Sequence, residues 1–313
     1  MNKKYGLALL VVLLTTSCTF GSATTNRAES TSRVKVSSDP DLYNGTRFRM
    51  PLDDYFFDQD QMGDLEIAVD KLAGACMNRL GRKWPAKPEK SANIPWNSRR
   101  YGVTDLNSAR RYGYKAPLPA GMSAKQATEL DKKANHRLDH VSRRTIAIYT
   151  GEDSAKITGV EVPAGGCRGE AYRKLGLPGP DLPFQTRVTV LQKRIWDDAL
   201  KTGPVLYAQN KWRDCMKAKG YPYKNPVEAL EDPKWSAPGT KSSVAASSYT
   251  AAPQETATAV DDVECKKKSL YAETWHTVEV ALQKRAIRQN AKPLKAAAAQ
   301  ARAALAKIDS EIR

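Results

Sequence analysis

A nine-residue pattern that occurs twice constrains this chain more than any other feature. Cys76-Met77-Asn78-Arg79-Leu80-Gly81-Arg82-Lys83-Trp84 and Cys215-Met216-Lys217-Ala218-Lys219-Gly220-Tyr221-Pro222-Tyr223 share Cys-Met-x-x-x-Gly-x-x-aromatic. Each copy ends an apolar run of helical period. Leu65, Val69, Leu72, Cys76 and Leu80 recur at helical steps, as do Val205, Ala208, Trp212, Cys215 and Lys219, so each cysteine faces inward. Gly81 and Gly220 then stand where a helix commonly stops in a left-handed conformation, which glycine adopts without a Cβ penalty. One more cysteine follows each copy, Cys167 and Cys265. Of the three possible pairings, the one that repeats with the duplicated unit is Cys76–Cys167 and Cys215–Cys265.

The predicted fold class is therefore mainly α: a helical domain with two disulfide-stapled repeat units, long irregular loops and a disordered N-terminal tether. The units are expected at about 58–176 and 185–292 within a helical body at 40–313, with a polar Ala/Ser/Thr/Pro loop at 236–260. Helices are predicted from Asp58 or Asp60, over 105–112, from Ser123 to about Leu138, over 167–175, over 185–201, and from Asp261 past Leu282. Residues 146–159 read as a loop or short hairpin. Pro293 is expected to kink or break the last helix, leaving an Ala-rich, weakly anchored C-terminal segment.

The N-terminus reads as an export signal over residues 1–17, with Lys3 and Lys4 before an apolar core too short to span a bilayer. Leu14-Thr15-Thr16-Ser17-Cys18 resembles a bacterial lipobox, in which the cysteine would carry a diacylglycerol thioether. It departs from the usual pattern at Thr15, where leucine is ordinarily found. The alternative is cleavage after Gly21-Ser22-Ala23, which would release a soluble protein. Residues 18–39 have the composition of a solvated tether. The expected location is extracytoplasmic, on the outer face of the cell membrane, or secreted if Cys18 is not lipidated.

The chain is strongly basic, at +16, and +14 once Lys3 and Lys4 leave with the signal. At an envelope surface this favours membrane lipid, an anionic cell-wall polymer or an acidic protein as partner. No nucleic acid partner is expected, because no reading motif accompanies the charge. The densest basic-aromatic cluster runs from Arg99 to Tyr114. Its candidate binding residues are Arg99, Arg100, Tyr101, Arg110, Arg111, Tyr112 and Tyr114, since guanidinium groups stack on aromatic rings and fork onto carboxylate or phosphate. Asp105 is the only carboxylate between Arg99 and Lys115.

Catalytic signatures are sparse. The chain has no G-x-S-x-G, H-E-x-x-H, phosphate loop or dinucleotide fingerprint. His136 and His140 sit at a spacing that could chelate a metal on a helix, but no further ligand completes a site, so neither metal nor cofactor is expected. Gly165-Gly166 before a helix could cradle an anion, although close backbone approach for the disulfide at Cys167 explains the pair better.

The motifs Pro163-Ala164-Gly165-Gly166-Cys167-Arg168-Gly169-Glu170-Ala171 and Arg99-Arg100-Tyr101-Gly102-Val103-Thr104-Asp105, with both Cys-Met copies and the lipoprotein-like leader, resemble a family of uncharacterised secreted proteins from actinobacteria. The resemblance covers most of residues 50–290. It implies an address without a mechanism. The function expected from sequence is a non-catalytic, envelope-anchored binding or structural lipoprotein. The alternative is a wall-modifying hydrolase that pairs the carboxylates of Glu170 and Asp105.

Overall fold

The computed structural model describes residues 36, 40–87, 94–118, 121–152, 161–235 and 251–313. The signal, Cys18, nearly all of the tether and residues 236–250 of the expected polar loop lie outside them. Among the described residues the fold is mainly helical and contains no strand.

The first helix, α1 (Gln59–Arg79), opens on a capping box in which Asp58 accepts from the Gln61 backbone while the Gln61 side chain accepts from the Asp58 N–H. It buries Leu65, Val69, Cys76 and Met77. The helix α2 (Leu106–Tyr112) is capped by Asp105, which the sequence reading places inside the helix. The helix α3 (Ala124–Asn135) has the predicted Ser123–Gln126 capping box but ends before His136. Those residues that read as loop or hairpin begin instead with a helix, α4 (Arg143–Thr150). There follow α5 (Gly166–Lys174), α6 (Pro183–Leu200), α7 (Gly203–Ala218) and the short α8 (Pro226–Leu230).

Both halves of the repeat stop their helices identically. Gly81 and Gly220 take φ of +69° and +90°, and the N–H of the next residue reaches back to the methionine of the motif, Arg82 to Met77 O at 2.9 Å and Tyr221 to Met216 O at 3.0 Å. Disulfides join Cys76 to Cys167 and Cys215 to Cys265, stapling α1 to α5 and α7 to the helix α9 (Pro253–Ser269).

The C-terminal third departs from the sequence reading. The helix expected from Asp261 begins at Pro253, a favourable first-turn residue, so the end of the expected 236–260 loop is helical. It ends at Ser269 and does not run on through Tyr271. Leu270 adopts a left-handed conformation with φ of +53°, and α10 (Tyr271–Gln289) starts there. A second break at Asn290 precedes α11 (Ala291–Ile312), with Pro293 accommodated in the first turn. That last helix is firmly anchored: Leu294, Ala297, Ala298, Ala301, Ala304 and Ile308 are buried as it packs against α1 and α6. Small side chains bring its backbone close to its neighbours.

Three apolar clusters make the interior. One surrounds α1, α5 and α11; a second joins α2, α7 and α9; the third, around Tyr101, Tyr271 and Trp275, joins α6, α7 and α10 to the lead-in at residues 42–50. The body at 33–313 is one compact unit, and the repeats interleave, since α2 of the first unit packs on α9 of the second. The Gly165-Gly166 pair serves close approach, but to α4 instead of to the disulfide. A Cβ on Gly166 would lie 2.4 Å from Gly151 N and 2.5 Å from Ile148 O, so only glycine lets α4 end against the start of α5.

Candidate binding surface

The basic-aromatic stretch at 99–114 is where a binding face was expected, and its residues divide into two sets. Arg99 donates to Tyr114 O at 3.0 Å and Lys115 O at 2.6 Å, closing its own segment into a loop. Burial lowers its guanidinium to about 10, with Asp105 opposing, so it remains charged at neutral pH. Arg100 forks onto Glu279 of α10, with Nε 3.1 and 3.0 Å from the two carboxylate oxygens and Nη2 completing the pair. The Glu279 side chain has no exposure and that of Arg100 only 10%. Tyr101 is buried and donates to Glu279 at 3.1 Å. Burial pushes its phenol up, and the Glu279 charge adds to the shift. Gln283 also donates to Glu279, at 3.0 Å, while its own oxygen accepts from the Leu52 N–H. Arg100 therefore helps clamp the lead-in onto α10.

The far end of the stretch attaches just as closely to α9. Lys266 is buried there; it donates to Val103 O at 3.0 Å and to Asp262 at 2.8 Å, and Trp212 of α7 donates to Asp262 at 2.8 Å. Burial raises the Asp262 carboxyl against the opposing pull of Lys266. Gly102, at φ +80°, leaves room for this ammonium, since a Cβ would sit 2.9 Å from Lys266 Nζ. Tyr114 is buried, and its N–H donates to Glu255 at 3.1 Å. Arg110 and Arg111 alone of the four arginines stay exposed, Arg111 lying over the half-buried Tyr112 ring at 5.1 Å. The stretch thus corrects the expectation of one shared face: Arg99, Arg100, Tyr101 and Tyr114 hold the fold, and Arg110, Arg111 and Tyr112 remain at the surface.

The carboxylates named for hydrolysis are also engaged. Glu170 is held by Arg79 at 2.6 Å and Lys174 at 3.0 Å, and Asp105 accepts from the N–H groups of Asn107 and Ser108. His136 and His140 fall in the turn after α3, with His136 2.7 Å from Asp139, so the helical chelating geometry is not formed. Among the described residues, no cluster of three or more His, Cys, Asp or Glu is placed to hold a metal ion.

A second basic region went unmarked in the sequence reading. Residues 280–308 contain seven cations and no acid. Lys284, Arg285, Arg288, Lys292 and Lys295, around the bend between α10 and α11, are all exposed. Among the described residues none of them makes an ion pair or a side-chain hydrogen bond. The absence of acids over this span is the signal that could have found it.

No protein-family model, curated protein or solved structure matches the chain.

Proposed function

We propose that the protein is an exported, non-catalytic binding or structural lipoprotein of the cell envelope, held on the outer face of the membrane through Cys18 and presenting exposed cations to anionic envelope material. The resemblance to secreted actinobacterial proteins belongs to the same reading. Two disulfides indicate an oxidising environment. No described helix is long and apolar enough to cross a membrane. The observation that carries the binding proposal is the set of exposed, unpaired cations around the α10–α11 bend. For the hydrolase alternative, Glu170 and Asp105 are each occupied in local structural contacts.

The test is fractionation with sedimentation. Cys18→Ala should move the protein from the membrane fraction into the medium, and the released protein should sediment with anionic envelope fractions in a salt-sensitive way. Wild-type protein found wholly in the medium with its N-terminus after Ala23 would remove the anchor. Indifference to every anionic fraction would remove the binding role.

A further inference from the structure

We infer that Lys284, Arg285, Arg288, Lys292 and Lys295 form a docking face for the anionic phospholipid headgroups of a bilayer. This rests on the binding role proposed above and names its partner. The five cations fall within twelve residues that contain no acid. Lys284 and Arg288 are spaced i,i+4 on α10, and Lys292 and Lys295 i,i+3 on α11, so like charges are neighbours on each helix and repel one another. Nothing among the described residues neutralises that repulsion. An anionic surface would.

The helices beneath the charges are packed into the core. Gln283 and Ala286 bury the inner side of α10, and Leu294, Ala297 and Ala298 that of α11. Around the cations the exposed positions include Ala281, Ala291, Ala296 and Ala299, whose short side chains let the long basic ones project beyond them. No large apolar residue is exposed in this region, so attachment would rest on charge without insertion. The target shape follows from the relief. A single polymer strand gains most from a groove, and the hollows at residues 94–117 beside Gly45 and at 223–233 include none of the five cations. Exposed cations carried on two successive helices suit a planar array of headgroups. If Cys18 is acylated, the tether already keeps such an array within reach.

The experiment uses the full chain carrying Cys18→Ala, so that no acyl chain contributes, sedimented with phosphatidylglycerol/phosphatidylcholine vesicles and with pure phosphatidylcholine vesicles. Purified cell-wall polymer is run in parallel. Binding to the anionic vesicles should weaken about fivefold per lost cation near the surface, so changing all five to Gln should lower it by at least about a hundredfold. A control with five exposed cations changed elsewhere (Lys125, Lys133, Arg187, Arg194 and Lys217 to Gln) carries the same net charge and should lose far less. The double change Lys292→Gln with Lys295→Gln, expected to cost about 25-fold, decides the matter should the quintuple variant not fold. Unchanged vesicle binding in a folded variant, or an equal loss in the control, overturns the assignment. Sedimentation with wall polymer but not with vesicles removes the bilayer and leaves the broader reading intact. Salt-sensitive binding to neither removes both.

Discussion

Changing Arg100 to Gln separates an arginine that holds the fold from one that meets a partner. The side chain is nearly inaccessible, and Glu279 beneath it has no exposure at all, so the substitution leaves a buried carboxylate without its counter-charge. Breaking a buried pair by removing one partner costs about 3–5 kcal/mol. Taking about 3 kcal/mol, and about 2–4 °C per kcal/mol for a domain of this size, the melting temperature should fall by about 6–12 °C. Thermal unfolding with both disulfides intact, followed by circular dichroism, reads this directly. Changing Arg110 and Arg111 together should move stability by no more than about 0.5 kcal/mol, because both are exposed. Replacing both members of the buried pair with apolar side chains, Arg100→Met with Glu279→Leu, should recover only part of the loss. Tyr101 and Gln283 would still lack the acceptor they now reach at 3.1 and 3.0 Å. An Arg100→Gln protein as stable as the parent would refute the assignment of this residue to the core.

Two further outcomes follow from the same geometry. Cys215 is partly exposed whereas Cys76, Cys167 and Cys265 are buried, so graded reduction with alkylation should label Cys215 and Cys265 before Cys76 and Cys167; losing either bond, with partners 91 and 50 positions apart, should cost about 4–5 kcal/mol in the chain-entropy model. For Glu170, burial raises the carboxyl, but Arg79 and Lys174 outweigh it and hold it below its ordinary value of 4.5. Its stabilisation is therefore present above that value and lost as pH falls through the folded-state pKa; acid unfolding of Glu170→Gln should lack this contribution, a difference of no more than about 1 kcal/mol for so open a pair.

What could be read from sequence was what is local or repeated. The Cys-Met-x-x-x-Gly copies fixed both helix ends and suggested the pairing, because a glycine stop and an inward cysteine are set within one or two turns. Asp58 and the Ser123–Gln126 box were legible for the same reason. The misses were of two kinds. Arg100 looked free because its partner, Glu279, lies 179 residues away, and local acid content says nothing about such a pair. The Ala-rich end looked loosely attached because Ala297, Ala298, Ala301 and Ala304 carry little apolar surface each, although their helical spacing allows close packing. The break at Leu270 carried no sequence signal, since a leucine rarely adopts positive φ.

These misses share a consequence for function. A basic residue near aromatics in sequence need not be available to a partner, because the same guanidinium that can fork onto a phosphate can fork onto Glu279. Lys266 makes the point again: it is buried against Asp262 and Val103 O, tying the insertion of the first repeat to the second repeat's staple helix. At two places where the chain joins its halves, the linking cation is held by a buried carboxylate. Surplus charge must then be sought where acids are absent from the whole surroundings, and not merely from the adjacent sequence. The bend between α10 and α11 meets that condition. Its cations have neither an acid within residues 280–308 nor a carboxylate reaching them from another described element, so their charge is presented outward.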